Sequence, residues 1–145
     1  MSAQPLQSLL VEPDQAGTFY LTASDLGPLQ EAAHDVGFLC IPLDLSGCAD
    51  KAALMRAFAQ AFEFPEWFGH NWDALADCLG DLDWLPAEGY VLGLQNVQAL
   101  RNADPADYAT LIAVLEGVCE DWRERGRPFW AFIALPDDQF DALPT

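Results

Sequence analysis

Phe129 to Leu135 reads FWAFIAL, a run without one polar side chain. So short and so uniformly apolar a stretch does not suit a surface element. It suits a strand at the centre of a sheet, where successive side chains point to opposite faces and both faces are covered. Such a strand needs helices on both sides, and the rest of the chain must supply them.

The remaining elements fit that demand. Thr18 to Leu21 is a short strand candidate. Ser24 follows as an N-cap, and Leu26, Leu29, Ala33 and Val36 recur at helical spacing. Pro28 is tolerable near a first turn, and Gly37 marks the stop. Phe38 to Leu43 is a second strand, apolar on both faces, with Pro42 expected to end or bend it. Asp50 caps a helix striped by Leu54, Phe58, Ala61 and Phe62, which Pro65 closes. Asn71 caps a shorter helix running to Gly80. After a loop containing Pro86 and Gly89, Tyr90 to Leu94 is a third strand. Asp104-Pro105 pairs an acidic N-cap with proline at the first helical position. Tyr108, Leu111, Ile112, Leu115, Val118, Cys119 and Trp122 face inward along that helix, and Gly126 and Pro128 end it.

Strands alternate with helices throughout, so the chain reads as α/β with a small parallel sheet flanked by helices. Its 145 residues suit a single domain with a real core. Tyr20, Leu29 and Val36 are the expected core residues of the N-terminal strand and helix, which should serve stability. The tail 136–145, PDDQFDALPT, reads as loose.

Charge narrows the function. Asp and Glu number 23 against 6 Lys and Arg, a formal charge of −17. Such a chain repels phosphate backbones, which argues against direct nucleic-acid binding and for a basic protein partner. Solubility alone is an equally available reason for acidity. The N-terminus has neither the basic start nor the apolar core of an export signal. No run approaches the ~18 apolar residues of a membrane helix, so a cytoplasmic location is expected. Cys40, Cys48, Cys78 and Cys119 form no CxxC pair and read as four reduced thiols rather than zinc ligands.

The most unusual stretch is FPEWFGHNWDALADCL, Phe64 to Leu79. On a helical wheel from Asn71, Trp72, Leu75 and Leu79 share the core face. Asp73 and Asp77 stand together on the open face, with Ala76 on the flank. The helix dipole gives Asp73, in the first turn, a structural reason of roughly 0.3–1 kcal/mol. Asp77 has less: it is past the first turn, Asp is a weak helix former, and its like-charged neighbour at i−4 costs about 0.2–0.5 kcal/mol. A solvated acidic face remains open. The loop Glu66-Trp67-Phe68-Gly69 favours a binding face, since two large aromatics beside a glycine suit an interface anchor. One of the two is expected to staple onto the helix instead. His70 with Asp73 and Asp77 forms an alternative, a hard-metal site of a hydrolase. No phosphate loop, GxSxG or Cys–His arrangement points to other catalysis.

Pro65-Glu66-Trp67-Phe68-Gly69, then Asn71, Asp73-Ala74-Leu75 and Asp77-Cys78-Leu79 resemble the signature of the barstar family, intracellular inhibitors of the secreted ribonuclease barnase. The likeness is dense here and extends more weakly from Phe38 to Leu135. It implies a family-like core over 38–135, with 1–37 as an added strand and helix. It implies a non-enzyme without cofactor or metal, a monomer that plugs the active site of a basic ribonuclease. Under the resemblance Asp77 is the principal acid and Asp73 a second. Trp67 takes the place of a tyrosine that stacks over the ribonuclease site, and Gly69 keeps the loop close to the partner. Asp121 completes the acidic patch, or Glu120 or Glu124 if the register slips. Ala76 departs from the family, standing where an interfacial tryptophan is expected. The loop from Asp81 to Gly89 is longer. A barstar-fold module for some other basic protein is the remaining alternative.

Overall fold

The computed structural model describes residues 9–135. The expectation of a loose tail at 136–145 falls outside them. Four parallel strands form one sheet: β1 (Thr18–Thr22), β2 (Leu39–Asp44), β3 (Tyr90–Gln95) and β4 (Phe129–Leu135). Their order is β1-β4-β3-β2, so FWAFIAL is central, as its composition requires. Ala131 of β4 pairs with Thr18 on one side and Leu92 on the other.

Helices α1 (Leu26–Asp35), α2 (Lys51–Ala61), α3 (Trp72–Asp81), α4 (Gln98–Ala103) and α5 (Pro105–Glu124) cover the sheet. The chain crosses from β1 to the far edge through α1, then returns through β3 to β4. Crossovers of one hand place helices on opposite faces when the direction of travel reverses. Accordingly α1 lies on one face and the other helices on the opposite one. Alternation along β4 divides the core the same way. Phe129, Ala131, Ile133 and Leu135 join the large cluster that contains Leu54, Phe58, Leu75, Leu79, Leu111 and Leu115. Trp130 and Phe132 join Leu10, Ala16, Leu29, Ala32 and Ala33. Gly93 permits the close approach of α1, because a Cβ there would lie 3.3 Å from Leu26.

Several local expectations change. The residue before α1 is Asp25 rather than Ser24, and Asp25 accepts from the Thr22 hydroxyl at 2.8 Å and from its amide at 3.4 Å. A single 3-10 turn, Ala23–Asp25, then leads into α1. Pro42 does not end β2, which continues to Asp44. An edge strand has one side without ladder bonds, where a missing N–H costs little. Tyr20 is not a core residue, since β1 is also an edge and leaves its side chain 41% exposed. Leu29 is fully buried and Val36 partly so. Helix α4 has no counterpart in the sequence reading, because six residues are too few to show a helical period. The four cysteines are free, and no helix among the described residues is long and apolar enough to cross a membrane.

Candidate partner-binding site

The site begins where α2 stops. Glu63 takes a left-handed φ of 54° and turns the chain, and the Phe64 amide returns to Ala59 O at 2.9 Å. Phe64 lies on the core, its ring 4.7 Å from Phe68 and edge-on to Trp84 at 6.1 Å. Trp84 Nε1 donates to Phe62 O at 2.8 Å, tying the 82–89 loop beneath this turn. The Phe68 amide donates to Pro65 O at 3.0 Å, closing a tight turn with Glu66 and Trp67 at its apex. Phe68 is 5% exposed and Trp67 66%. One aromatic is therefore an anchor, as expected, though it packs on Phe64 and His70 rather than from the position next to the cap.

Asn71 holds the loop to α3. Its Oδ1 accepts from the Ala74 amide at 2.7 Å and its Nδ2 donates to Gly69 O at 3.3 Å. A Cβ at Gly69 would sit 3.2 Å from that same Nδ2 and crowd the cap. His70 adopts φ 54° and its Nδ1–H donates to Phe68 O at 3.0 Å, with its ring 4.7 Å from the Phe68 ring. His70 is thus committed to the loop. Among the described residues no group of three His, Cys, Asp or Glu is placed to hold a metal ion, so the His70, Asp73 and Asp77 arrangement is not formed.

Along α3, Leu75, Cys78 and Leu79 are buried, while Trp72 is only half-buried at the margin. Asp73 and Asp77 are exposed, about 6 Å apart along the helix axis, with Ala76 half-buried beside them. Burial pushes the Cys78 thiol up, and the charges of Asp77 and Asp81 add to it. The end of α5 grips the end of α3. Trp122 Nε1 donates to Leu79 O at 2.8 Å, and Arg125 Nη2 to Gly80 O at 2.7 Å. These bonds bring exposed Asp121 alongside, its Oδ2 3.5 Å from where a Cβ on Gly80 would stand. Glu120 and Glu124 are exposed on the same helix.

Arg125 is the residue that sequence reasoning missed. Its guanidinium lies 3.8 Å over the Trp122 ring, and its Nη2 is 3.4 Å from Asp121 Oδ2. That is the one ion pair among the described residues. Its i,i+4 spacing from Asp121 was a signal available in the sequence. Among the described residues neither Asp73 nor Asp77 forms an ion pair.

The family model for barstar, the barnase inhibitor, matches residues 38–134. No curated protein matches the chain. Among solved structures, a chain of Drosophila ORC bound to DNA superposes with a TM-score of 0.54 at 14% identity. The alignment covers 94% of this chain and 37% of that one, and a likeness at such identity is one of fold alone. The match to the family model spans more than half of the sequence and contains the aromatic turn, the acidic helix and the two central strands, and the chain belongs to the barstar family.

Proposed function

We propose that this protein inhibits a basic ribonuclease of the barnase type by covering its active site, acting in the cytoplasm as a monomer. The observation that carries the reading is the pair Asp73 and Asp77, exposed one turn apart and in no ion pair among the described residues, behind a rigid turn that holds Trp67 out. A ribonuclease must bind phosphates, so its cleft is basic. A preformed acidic helix face mimics the charge of RNA without its hydrolysable bond. Asp77 supplies a charge-assisted anchor at the centre, Trp67 rigid contact area, and Asp73 and Asp121 tune rate and register. Gly69 lets the loop approach closely, and Ala76 leaves room where a larger side chain would fill the contact. The field of a −17 chain steers a basic partner toward it, an effect for which the barnase–barstar pair is the standard measured case.

The test is an inhibition titration of barnase with the wild-type protein beside Asp77→Lys, repeated at low and high salt. One-to-one inhibition by the first and none by the second is expected. Association should slow as the Debye length shrinks below about 10 Å, its value near 0.1 M salt. Association indifferent to salt would sink charge mimicry. Capture of a basic protein without ribonuclease activity by the wild type alone would favour a binding module of another kind.

A further inference from the structure

Beside the acidic helix the surface carries both signs, two aspartates and two arginines. A cleft of about 350 Å³ opens between the loop after α3 and the end of α5, walled by Asp81, Asp83, Tyr90, Trp122, Arg125 and Arg127. Two of the chain's six cations meet there. Arg125 is held by four contacts: stacking on Trp122, Nη2 to the Gly80 carbonyl, Nε to the Asp121 carbonyl at 3.4 Å, and Nη2 to the Asp121 carboxylate at 3.4 Å. The ion pair to Asp121 is weak, because both side chains are substantially exposed and solvent screens them. Among the described residues Arg127 makes one hydrogen bond, at 3.5 Å to Ala87 O. Both guanidinium groups therefore keep donors for an incoming acceptor. Gly80 lies three residues beyond Asp77, about 4.5 Å along the axis, so a partner seated on Asp77 also reaches this cleft.

Uniform acidity attracts every basic protein alike. Specificity is a difference of affinities, and a fixed cation within an acidic surface creates one. It penalises a partner with arginine or lysine at that point and favours one with an acceptor. A free anion is repelled by the −17 field, whereas an acidic side chain carried on a basic protein is not. We infer that the cleft receives a carboxylate of the bound ribonuclease, and that Arg125 is the specificity-determining residue that donates to it. This inference rests on the ribonuclease reading and deepens it.

Barnase is the probe. Association and dissociation are measured by stopped flow for wild type, Arg125→Gln, Arg125→Lys and Asp77→Ala. Arg125→Gln retains a donor for Gly80 O but loses the charge and the fork. Its dissociation should rise at least tenfold, while association is no slower because the surface becomes more negative. Arg125→Lys should recover only part of the loss, since a point charge does not reproduce the planar fork. Barnase aspartates and glutamates are then replaced singly by alanine. One of them should show the same loss against wild type and no further loss against Arg125→Gln. The inference is overturned if Arg125→Gln and Arg125→Lys bind as tightly as wild type or tighter, or if no barnase carboxylate couples to Arg125. Failure of the ribonuclease reading looks different: wild type does not inhibit, or Asp77→Ala inhibits equally, and the cleft inference falls with it.

Discussion

Trp67 and Phe68 are adjacent in sequence and opposed in space: Trp67 stands 66% exposed at the apex of a turn while Phe68, 5% exposed, fills the core beneath it. The turn bond from the Phe68 amide to Pro65 O and the left-handed His70 hold this division. A large aromatic kept in water costs folding nothing and pre-organises contact area for a partner.

The two residues should separate stability from binding. Phe68→Ala removes a buried ring and should cost about 3–5 kcal/mol. Trp67→Ala should leave stability within about 0.5 kcal/mol, the usual range for surface changes, yet weaken ribonuclease inhibition. Urea melts and an inhibition titration on both variants check this. A large stability loss in Trp67→Ala would make that ring structural.

Asp77 should oppose folding while supporting binding. Asp77→Ala improves helix propensity by up to about 0.7 kcal/mol and relieves roughly 0.2–0.5 kcal/mol of repulsion with Asp73. The variant should match or exceed wild type in low-salt urea melts and inhibit far less. Destabilisation beyond about 1 kcal/mol would point to a lost structural hydrogen bond instead.

The N-terminal strand and helix should be indispensable for folding, a stronger role than a contribution to melting temperature. Trp130 Nε1 donates to Leu10 O at 3.0 Å inside the core, and β1 pairs along β4 from Thr18 to Thr22. Deleting residues 1–37 would uncover Val91, Trp130 and Phe132 and leave β4 as an open edge. The truncated chain should show no cooperative thermal transition. A cooperative melt that retains inhibition would show the 38–135 core to be self-sufficient.

Stability should fall at alkaline pH. Burial raises the Cys119 thiol from 9.0 to about 11 and raises Cys40, Cys48 and Cys78 as well. The folded value lies above the unfolded one. The contribution is therefore complete below pH 9 and is lost as pH rises through 11, amounting to roughly 2–3 kcal/mol for Cys119. Urea midpoints at pH 8 and 11 should differ, and by less in Cys119→Ala. Equal pH dependence in the two proteins would refute the assignment to Cys119.

Local chemistry determined much of this protein from the sequence alone. Asp50, Asn71 and Asp104 cap the helices they precede, each accepting from the amide three residues on. The apolar run Phe129–Leu135 dictates a central strand, and the two-period alternation within it divides the core. Asp73 and Asp77 share an exposed face because helical spacing requires it. These features depend on neighbours within one turn or one strand. Tertiary structure decided what depends on distant pairs. Edge or centre is a property of the whole sheet, so the continuation of β2 through Pro42 and the exposure of Tyr20 were not legible. Nor was the choice between Trp67 and Phe68, since the Phe64 ring that Phe68 packs on is itself held by Trp84, from the loop beyond the motif. Arg125 reads locally as a partner for Asp121. Only the packing of α5 against α3 places it at the Gly80 carbonyl, within the acidic surface, because a hydrogen bond spanning 45 residues exists only once both helices are docked.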